Sequence, residues 1–273
     1  MTALEQLAPG VHVWEPPGGL SNSTVLGAGA GALCVDLQAR PSLAARLLDE
    51  VRDRLGPLGS TVLTHAHADH MLGAAAFDDV PLIAQRAAAE AISERGEDER
   101  ALLRSVMTEH AEELEGAVLP NPKRIVEDSY TVQLDDRDVR LIAVGPAHTP
   151  GDLVAFDTAS GVLVAGDLVF NGYFPVFRDA SCAGWLDALE RLIDLAPSHV
   201  VPGHGPVASA GCLVDMIELL SELKASVAEA LNQGVPRHEL PSVVAGPERF
   251  EHLRRPDRIG MAIDRIADEL LRS

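Results

Sequence analysis

The chain has 273 residues, of which 47% are hydrophobic and 23% are charged. This length and balance suit one large globular domain, or one domain with an appendage, and allow a sizeable buried core. The formal net charge of −19 disfavours nucleic acid and anionic lipid as partners, because both would be repelled.

The cysteines and the apolar runs bear on the cellular compartment. Cys34, Cys182 and Cys212 lie far apart with no CxxC pair, so we expect reduced core residues. No stretch approaches the roughly 18 to 20 apolar residues of a membrane span. The first residues lack the basic and apolar regions of an export signal. We therefore expect a cytoplasmic protein without a membrane partner.

Alternating apolar residues predict three short strands near the start of the chain, arranged as an antiparallel meander. These strands cover Val11 to Glu15, Ser23 to Leu26 and Ala32 to Leu37. A break at Pro16 to Gly19 separates the first two. His12 lies in the first strand, and we expect it to be exposed and not a ligand, since no ligand-like residue surrounds it.

A helix is predicted from Pro41 to Gly56, and its apolar positions recur at helical spacing. The next strand, around Thr61 to Leu63, leads directly into His65. Asp69 is predicted to cap a helix that begins near His70.

The six residues His65-Ala66-His67-Ala68-Asp69-His70 hold three imidazoles and one carboxylate. Alternate residues of an extended backbone point the same way, so His65 and His67 can face one cation, whereas Asp69 and His70 fall past the turn. One short segment can therefore serve two metal ions. Imidazole combined with carboxylate favours zinc, with iron or manganese as alternatives.

After a short strand from Val80 to Ala84, residues 86 to 116 are predicted to form a charged helical region. Its apolar stripe consists of Leu102, Leu103, Val106 and Met107. Two interpretations stay open here. The stripe can belong to the core, or residues 86–120 can be a helical insertion that closes over the site as a lid.

The remaining elements alternate between strand and helix patterns. Strands are predicted over Tyr130 to Val144 with a turn at Asp135-Asp136, and at Leu153 to Asp157, Val162 to Ala165 and His199 to Val201; helices are predicted over Cys182 to Leu195, Cys212 to Leu231 and Asp257 to Leu271.

Three Gly- and Pro-rich loops in this part of the chain each carry one ligand-type residue after a buried strand. His148 lies in the loop Gly145 to Asp152, Asp167 follows the strand that ends at Ala165, and His204 lies between Pro202 and Pro206. Rigid sheets display reactive groups in such loops. With the first cluster, they give seven candidate ligands, enough for two metal sites that share a carboxylate.

The motifs HAHADH, GPAHTPGD, AGDLVF and VPGHGP, in this order, resemble the metallo-β-lactamase superfamily over about residues 8 to 210. The resemblance implies an α/β fold, an αβ/βα sandwich with a dinuclear site along one edge. Residues 1–210 would be the metallo-β-lactamase-like domain, and residues 211–273 a helical C-terminal segment.

The family pattern also implies a role for each candidate ligand. His65, His67 and His148 would hold the first metal, Asp69, His70 and His204 the second, and Asp167 would bridge the two ions. Asp36 would either contact the ligands without binding a metal itself, or cap the following helix.

Comparison with particular subfamilies narrows the activity. Drug-hydrolysing β-lactamases usually lack an aspartate at the position of Asp167, so this residue argues against that activity. Flavodiiron proteins carry a glutamate at the position of His67, which argues against a redox di-iron pair. Quorum-quenching lactonases typically have a tyrosine at the position of Phe170. Transfer-RNA-processing members need a basic surface, which this chain lacks. Glyoxalase II-like hydrolases share the whole ligand set and a helical C-terminal segment, but we find no basic glutathione-binding cluster.

The lead hypothesis is a metal-dependent hydrolase that cleaves an activated carbonyl, most plausibly a thioester, with a hydroxide bridging two zinc ions. Asp69 and Asp167 are the candidate catalytic residues, Asp69 as proton acceptor. The substrate would be a small-molecule or carrier-bound acyl group, and the oligomeric state is open between monomer and homodimer.

Other functions stay open. The segment Gly166 to Asp179 also resembles thioesterase/cyclases of aromatic polyketide pathways, in which aromatic side chains would line a long apolar cleft. The candidate wall residues are Trp14, Phe170, Tyr173, Phe174 and Phe177. Arg178 would bind an anionic tail of the substrate or be an exposed structural residue. A lactonase and a non-enzymatic metal binder are further alternatives.

Overall fold

The computed structural model describes residues 3–16, 20–135 and 137–272 of the chain. Residues 17–19 of the predicted break and Asp136 of the predicted turn lie outside the described residues. Within the described ranges the chain forms two sheets, with helices on their outer faces.

The first sheet contains seven strands in chain order. They are β1 (Leu4–Ala8), β2 (Val11–Trp14), β3 (Ser23–Leu26), β4 (Ala32–Val35), β5 (Leu58–Val62), β6 (Leu82–Gln85) and β7 (Arg124–Val126). Strands β1 to β4 pair antiparallel, and β4 to β7 pair parallel. The predicted meander is confirmed, and β1 adds a strand that the sequence analysis did not identify.

The second sheet contains five strands in the order β12-β11-β10-β9-β8. They are β8 (Ser129–Gln133), β9 (Asp138–Ala143), β10 (Leu153–Asp157), β11 (Val162–Phe170) and β12 (His199–His204). All neighbours pair antiparallel except β11 and β12, which are parallel. The carboxyl ends of β11 and β12 therefore lie at the same edge.

Helices surround the two sheets. They are α1 (Pro41–Leu55), α2 (Ala68–Met71), α3 (Arg86–Val106), α4 (Ala111–Glu115), α5 (Cys182–Ile193), α6 (Gly211–Asn232), α7 (Leu240–Val243) and α8 (Ile259–Leu270). Each long helix predicted from the sequence is present. None of the helices in the described ranges is long and apolar enough to cross a membrane.

Three apolar clusters hold the layers together. The inner faces of the two sheets pack against each other, for example through Val13 and Val62 of the first sheet and Leu141 and Val164 of the second. Helices α1 and α3 cover the outer face of the first sheet, and α5, α6 and α8 cover that of the second. This confirms the αβ/βα sandwich. The division at residue 210 stays a prediction, because α6 and α8 share one core with the second sheet.

One expectation about burial was wrong. His12 is only 8% exposed, because β2 is buried along its whole length, and burial lowers the pKa of its imidazole. In α3, Leu102 and Val106 are 45% and 68% exposed. Leu103 and Met107 are half-buried against the core of the first sheet, and the helix also buries Ala88, Ile92, Gly96 and Glu99. The core interpretation therefore holds for part of the predicted stripe. Cys34, Cys182 and Cys212 are buried free thiols, as predicted.

Candidate metal centre

All seven candidate ligands lie together at one edge of the sandwich. Strand β5 delivers the first motif, and β12 ends at His204. Asp167 lies inside β11, which continues to Phe170, so the prediction of a loop after Ala165 was wrong. The predicted cap at Asp69 was also wrong. Helix α2 begins at Ala68, and Asp69 occupies its first turn, where its carboxylate faces the histidines.

The ligand atoms form two groups. The first group is His65, His67, His148 and Asp167, all buried, and the second is Asp69, His70 and His204. Within each group the ligand atoms lie within 4.8 Å of one another. The structure therefore brings together every residue that the sequence analysis placed in this site.

Asp167 directs one carboxylate oxygen to each group. Its Oδ2 lies 3.8 Å from Nε2 of His65 and 3.4 Å from Nε2 of His148. Its Oδ1 lies 3.1 Å from Nε2 of His70 and 3.4 Å from Nε2 of His204. This is the geometry that a carboxylate shared between two cations requires.

The buried polar atoms at the centre fit a divalent metal ion. His65 Nε2, His70 Nε2 and Asp167 Oδ1 make no well-aligned hydrogen bond among the described residues, although all three are shielded from solvent and the last two face each other at 3.1 Å. Unpaired buried polar atoms are costly and uncommon in folded proteins. A cation bound by these donors would satisfy them, and imidazole with carboxylate suits zinc, iron or manganese.

The protonation of the two groups differs. Burial lowers the pKa of His148 to about 3 and also lowers the pKa of His65, so both imidazoles are neutral at pH 7. Burial acts in the same direction on His70 and His204, but the surrounding carboxylates outweigh it. Asp167 is the largest of these influences, and the pKa of His204 rises to about 10. The second group therefore favours positive charge.

Asp36 supports the second group. Its Oδ2 lies 2.8 Å from Nδ1 of His70, and its carboxylate accepts hydrogen bonds from the backbone N–H and the hydroxyl of Thr64 at 2.8 and 2.9 Å. Arg40, not Asp36, precedes the first turn of α1, so the helix-cap alternative was wrong. Asp36 holds a left-handed backbone with φ of 64°, a conformation that non-glycine residues keep mainly where surrounding contacts impose it.

Asp179 supports the first group and was missed by the sequence analysis. Its Oδ2 lies 3.0 Å from Nε2 of His67, while Nδ1 of His67 faces Nε2 of His148 at 3.0 Å. Arg95 and Arg178 both donate to the Asp179 carboxylate. Arg178 also pairs with Glu99, which agrees with a structural role, although its side chain is only 29% exposed; binding of an anionic substrate tail stays a prediction. Asp179 ends the segment Gly166 to Asp179, and nothing in that segment indicated that its last residue contacts His67.

Aromatic rings pack against the imidazoles. The ring of Phe170 stacks on His204 at 5.3 Å and meets His148 edge-on at 5.7 Å, and Trp185 meets His148 at 5.2 Å. These contacts shield the ligands from water. Of the other candidate wall residues, Trp14, Phe174 and Phe177 are buried in the cores, and Tyr173 lines a surface cavity of about 370 Å³.

Two glycines let the backbones approach at the centre. A side chain at Gly203 would place its Cβ 1.9 Å from Oδ1 of Asp167. Gly166 has φ of 55° and lies against Thr64, where a Cβ would come within 2.7 Å. Both positions therefore require glycine if Asp167 is to keep its place.

A family model described as the metallo-beta-lactamase superfamily matches residues 16–204. The chain is 25% identical over 229 residues to the alpha subunit of 2,4-dinitroanisole O-demethylase from Nocardioides sp. (strain JS1661), covering 82% of this chain and 64% of that protein. It is 28% identical over 160 residues to acyl-coenzyme A thioesterase MBLAC2 of Bos taurus, covering 52% of this chain and 54% of that protein. The chain thus spans less than two thirds of these relatives.

Solved structures share the fold. The sec-alkylsulfatase Pisa1 from Pseudomonas sp. matches with a TM-score of 0.78 and 16% identity, over 99% of this chain and 50% of that chain. A metallo-beta-lactamase from Pontibacter korlensis matches with a TM-score of 0.66 and 19% identity, over 81% of this chain and 99% of that chain. At these identities the likeness concerns the fold alone.

Proposed function

The chain belongs to the metallo-β-lactamase superfamily, whose members are metal-dependent hydrolases, and from this premise we propose that it cleaves a thioester at a pair of zinc ions. The observation that carries the proposal is Asp167, with one carboxylate oxygen toward each group of ligands. The choice of a thioester is supported by the relative that is named an acyl-coenzyme A thioesterase.

We assign His65, His67 and His148 to the first ion, Asp69, His70 and His204 to the second, and Asp167 to both. Two zinc ions held in this way would polarise the carbonyl oxygen and make water a competent nucleophile near neutral pH. The imidazoles of His65 and His70 are held in place by packing and hydrogen bonds, so the positions of the ions that they would bind are also set.

Asp69 is the acceptor we propose for the proton that the attacking water loses. Burial would raise its pKa, but His70 and His204 hold the pKa well below its usual range, so the carboxylate is ionised. With 25% of its side chain exposed, Asp69 is the most accessible of the seven candidate ligands. A thiol leaving group has a pKa near 8.5 and needs little help from an acid.

The other activities are less well supported. A polyketide cyclase needs a long apolar cleft, whereas Trp14, Phe174 and Phe177 pack within the cores. Phe170 places a ring without a hydroxyl beside His148 and His204, which does not favour a lactonase that uses a tyrosine there.

The test compares the zinc-loaded protein on an acyl-N-acetylcysteamine thioester, a lactone and a chromogenic β-lactam, with Asp167→Ala as the inactive control. We expect cleavage of the thioester by the wild-type protein and its loss in the variant. Equal thioester turnover after removal of the metal, or preferential turnover of the lactone or the β-lactam, would contradict the proposal.

A further inference from the structure

Helix α3 contacts three segments of the site: the segment that carries Asp179, the first motif at Ala68, and the loop that carries His148. Through Arg95 it reaches Asp179, the residue that contacts His67: Arg95 Nη1 donates to Asp179 Oδ1 at 2.9 Å. Through Glu99 it reaches α2, because Glu99 Oε2 accepts from the backbone N–H of Ala68 at 3.3 Å. Arg95 and Glu99 are four residues apart, so both project from one face of the helix.

A second ion pair joins these two contacts. Arg178 donates from Nε to Asp179 at 3.1 Å and from Nη2 to Glu99 at 2.5 Å. The Arg178 guanidinium thus links the carboxylate of Asp179, which contacts His67, to the carboxylate of Glu99, which contacts Ala68. Glu99 is buried, and a buried carboxylate is costly unless it is paired in this way.

The third contact of α3 is with the loop that carries His148. Ala87, Ala88 and Ala91 pack beside Thr149 to Gly151, and only a small gap remains between them. A Cβ at Gly151 would lie 2.3 Å from the backbone nitrogen of Ala88. The start of α3 is therefore packed tightly against this loop, through small residues on both sides.

From these contacts we infer that α3 is a positioning element of the metal centre, in which Asp179 orients His67 toward the first ion and Glu99 holds α2, with Asp69 and His70, toward the second. The inference rests on the proposed metal centre and deepens it. In this inference the helix forms one wall of the site.

The chemistry of this positioning is general for metal-binding histidines. When Nε2–H of His67 donates to Asp179, the lone pair of Nδ1 is left to face the ion, and the ring cannot rotate without breaking that hydrogen bond. Glu99 fixes the first backbone N–H of α2, and the rise of this short helix sets where Asp69 and His70 stand.

The test measures metal binding by Asp179→Asn and Glu99→Gln, with Glu94→Gln as matched control. Glu94 is exposed on the same helix. Co²⁺ is titrated against a competing chelator, and the visible absorption of the bound ion is recorded. We expect Asp179→Asn to lower the affinity for the first ion by about 10- to 100-fold, and Glu99→Gln to lower the affinity for the second ion. Each variant should also alter the Co²⁺ spectrum, whereas Glu94→Gln should match the wild-type protein.

Thermal unfolding of the metal-free variants separates positioning from loss of the fold. If Asp179→Asn does not fold, Arg95→Gln keeps the Asp179 carboxylate and removes only its direct ion pair with α3, and we expect the same change in affinity for the first ion to be smaller. Wild-type affinity and spectrum in both Asp179→Asn and Glu99→Gln would overturn the inference. Because no substrate enters these measurements, the inference can hold even where the thioesterase proposal fails on its own substrates.

Discussion

The two ligand groups share Asp167 but differ in burial and charge. His65, His67 and His148 are buried, and burial keeps the imidazoles of His65 and His148 neutral. The second group includes the partly exposed Asp69, and its histidines favour the protonated state. The comparison teaches that His65 and His148 of the first group can accept a cation without losing protons, whereas His70 and His204 of the second group must release protons when a cation binds.

The largest expected effect removes the residue that the two groups share. We expect Asp167→Ala to lose both ions and to lower kcat/KM by at least about 1,000-fold, because the remaining ligands of each group lose their common negative charge. Metal analysis after gel filtration and turnover of the thioester measure this. Asp187→Ala, an exposed acid on α5, is the control. One ion retained at full affinity would show that Asp167 serves a single group.

Two single substitutions separate the groups. We expect His148→Ala to lose the first ion and His204→Ala to lose the second while keeping the first near its wild-type affinity, since His148 and His204 lie in different groups. Both should reduce turnover by about 100-fold or more. Metal stoichiometry counts the ions that each variant retains, and circular dichroism checks that each variant is folded. Identical loss of both ions in both variants would mean that the site binds its ions only as a pair.

The pH dependence of metal binding should differ between the groups. A ligand imidazole must be deprotonated, so its proton competes with the metal below its pKa. With the pKa of His204 at about 10 and that of His70 also raised, affinity for the second ion should rise with pH from neutrality toward pH 10. With the pKa of His148 at about 3, its proton does not compete above about pH 5.

Isothermal titration calorimetry in buffers with different ionisation heats counts the protons released with each ion. We expect proton release from His70 and His204 with the second ion. Equal proton release with both ions would remove the distinction between the groups.

The smallest expected effect concerns the support of His70. Asp36→Asn keeps the size of the side chain but weakens its hydrogen bond to Nδ1 of His70, so affinity for the second ion should fall by about 10-fold. Competition with a chelator measures this, with the exposed Asp49→Asn on α1 as control. A larger effect on the first ion would indicate that Asp36 acts mainly through Thr64 and His65.

Much of this arrangement could be predicted from the sequence. The first motif could be identified because its imidazoles and carboxylate are metal-ligand groups, and because the predicted strand before it places alternate side chains on one side. The apolar patterns predicted the individual strands and helices, whereas the sandwich was expected from the resemblance of the motifs to the metallo-β-lactamase superfamily. That the seven candidate residues bind metal stays a prediction, which the spatial convergence of His65, His148 and His204 supports.

Other features depend on tertiary contacts that no local pattern encodes. His12 lies in a strand that is covered on both faces, so alternation could not reveal its burial. Helix α3 packs through Ala88, Ile92 and Gly96, and of the predicted stripe Leu103 and Met107 pack on the core while Leu102 and Val106 remain exposed, so the stripe was placed only in part. Asp179 meets His67 across 112 positions of sequence, and neither residue indicates the other.

The close approach of β12 to Asp167 has a consequence for how this chain tolerates mutation. Gly203 donates nothing to a metal, yet any side chain there would occupy the place of the Asp167 carboxylate oxygen. In a library of all single substitutions screened for activity, Gly203 should therefore score as intolerantly as the seven candidate ligands. Even alanine, usually the mildest replacement, should inactivate the protein there.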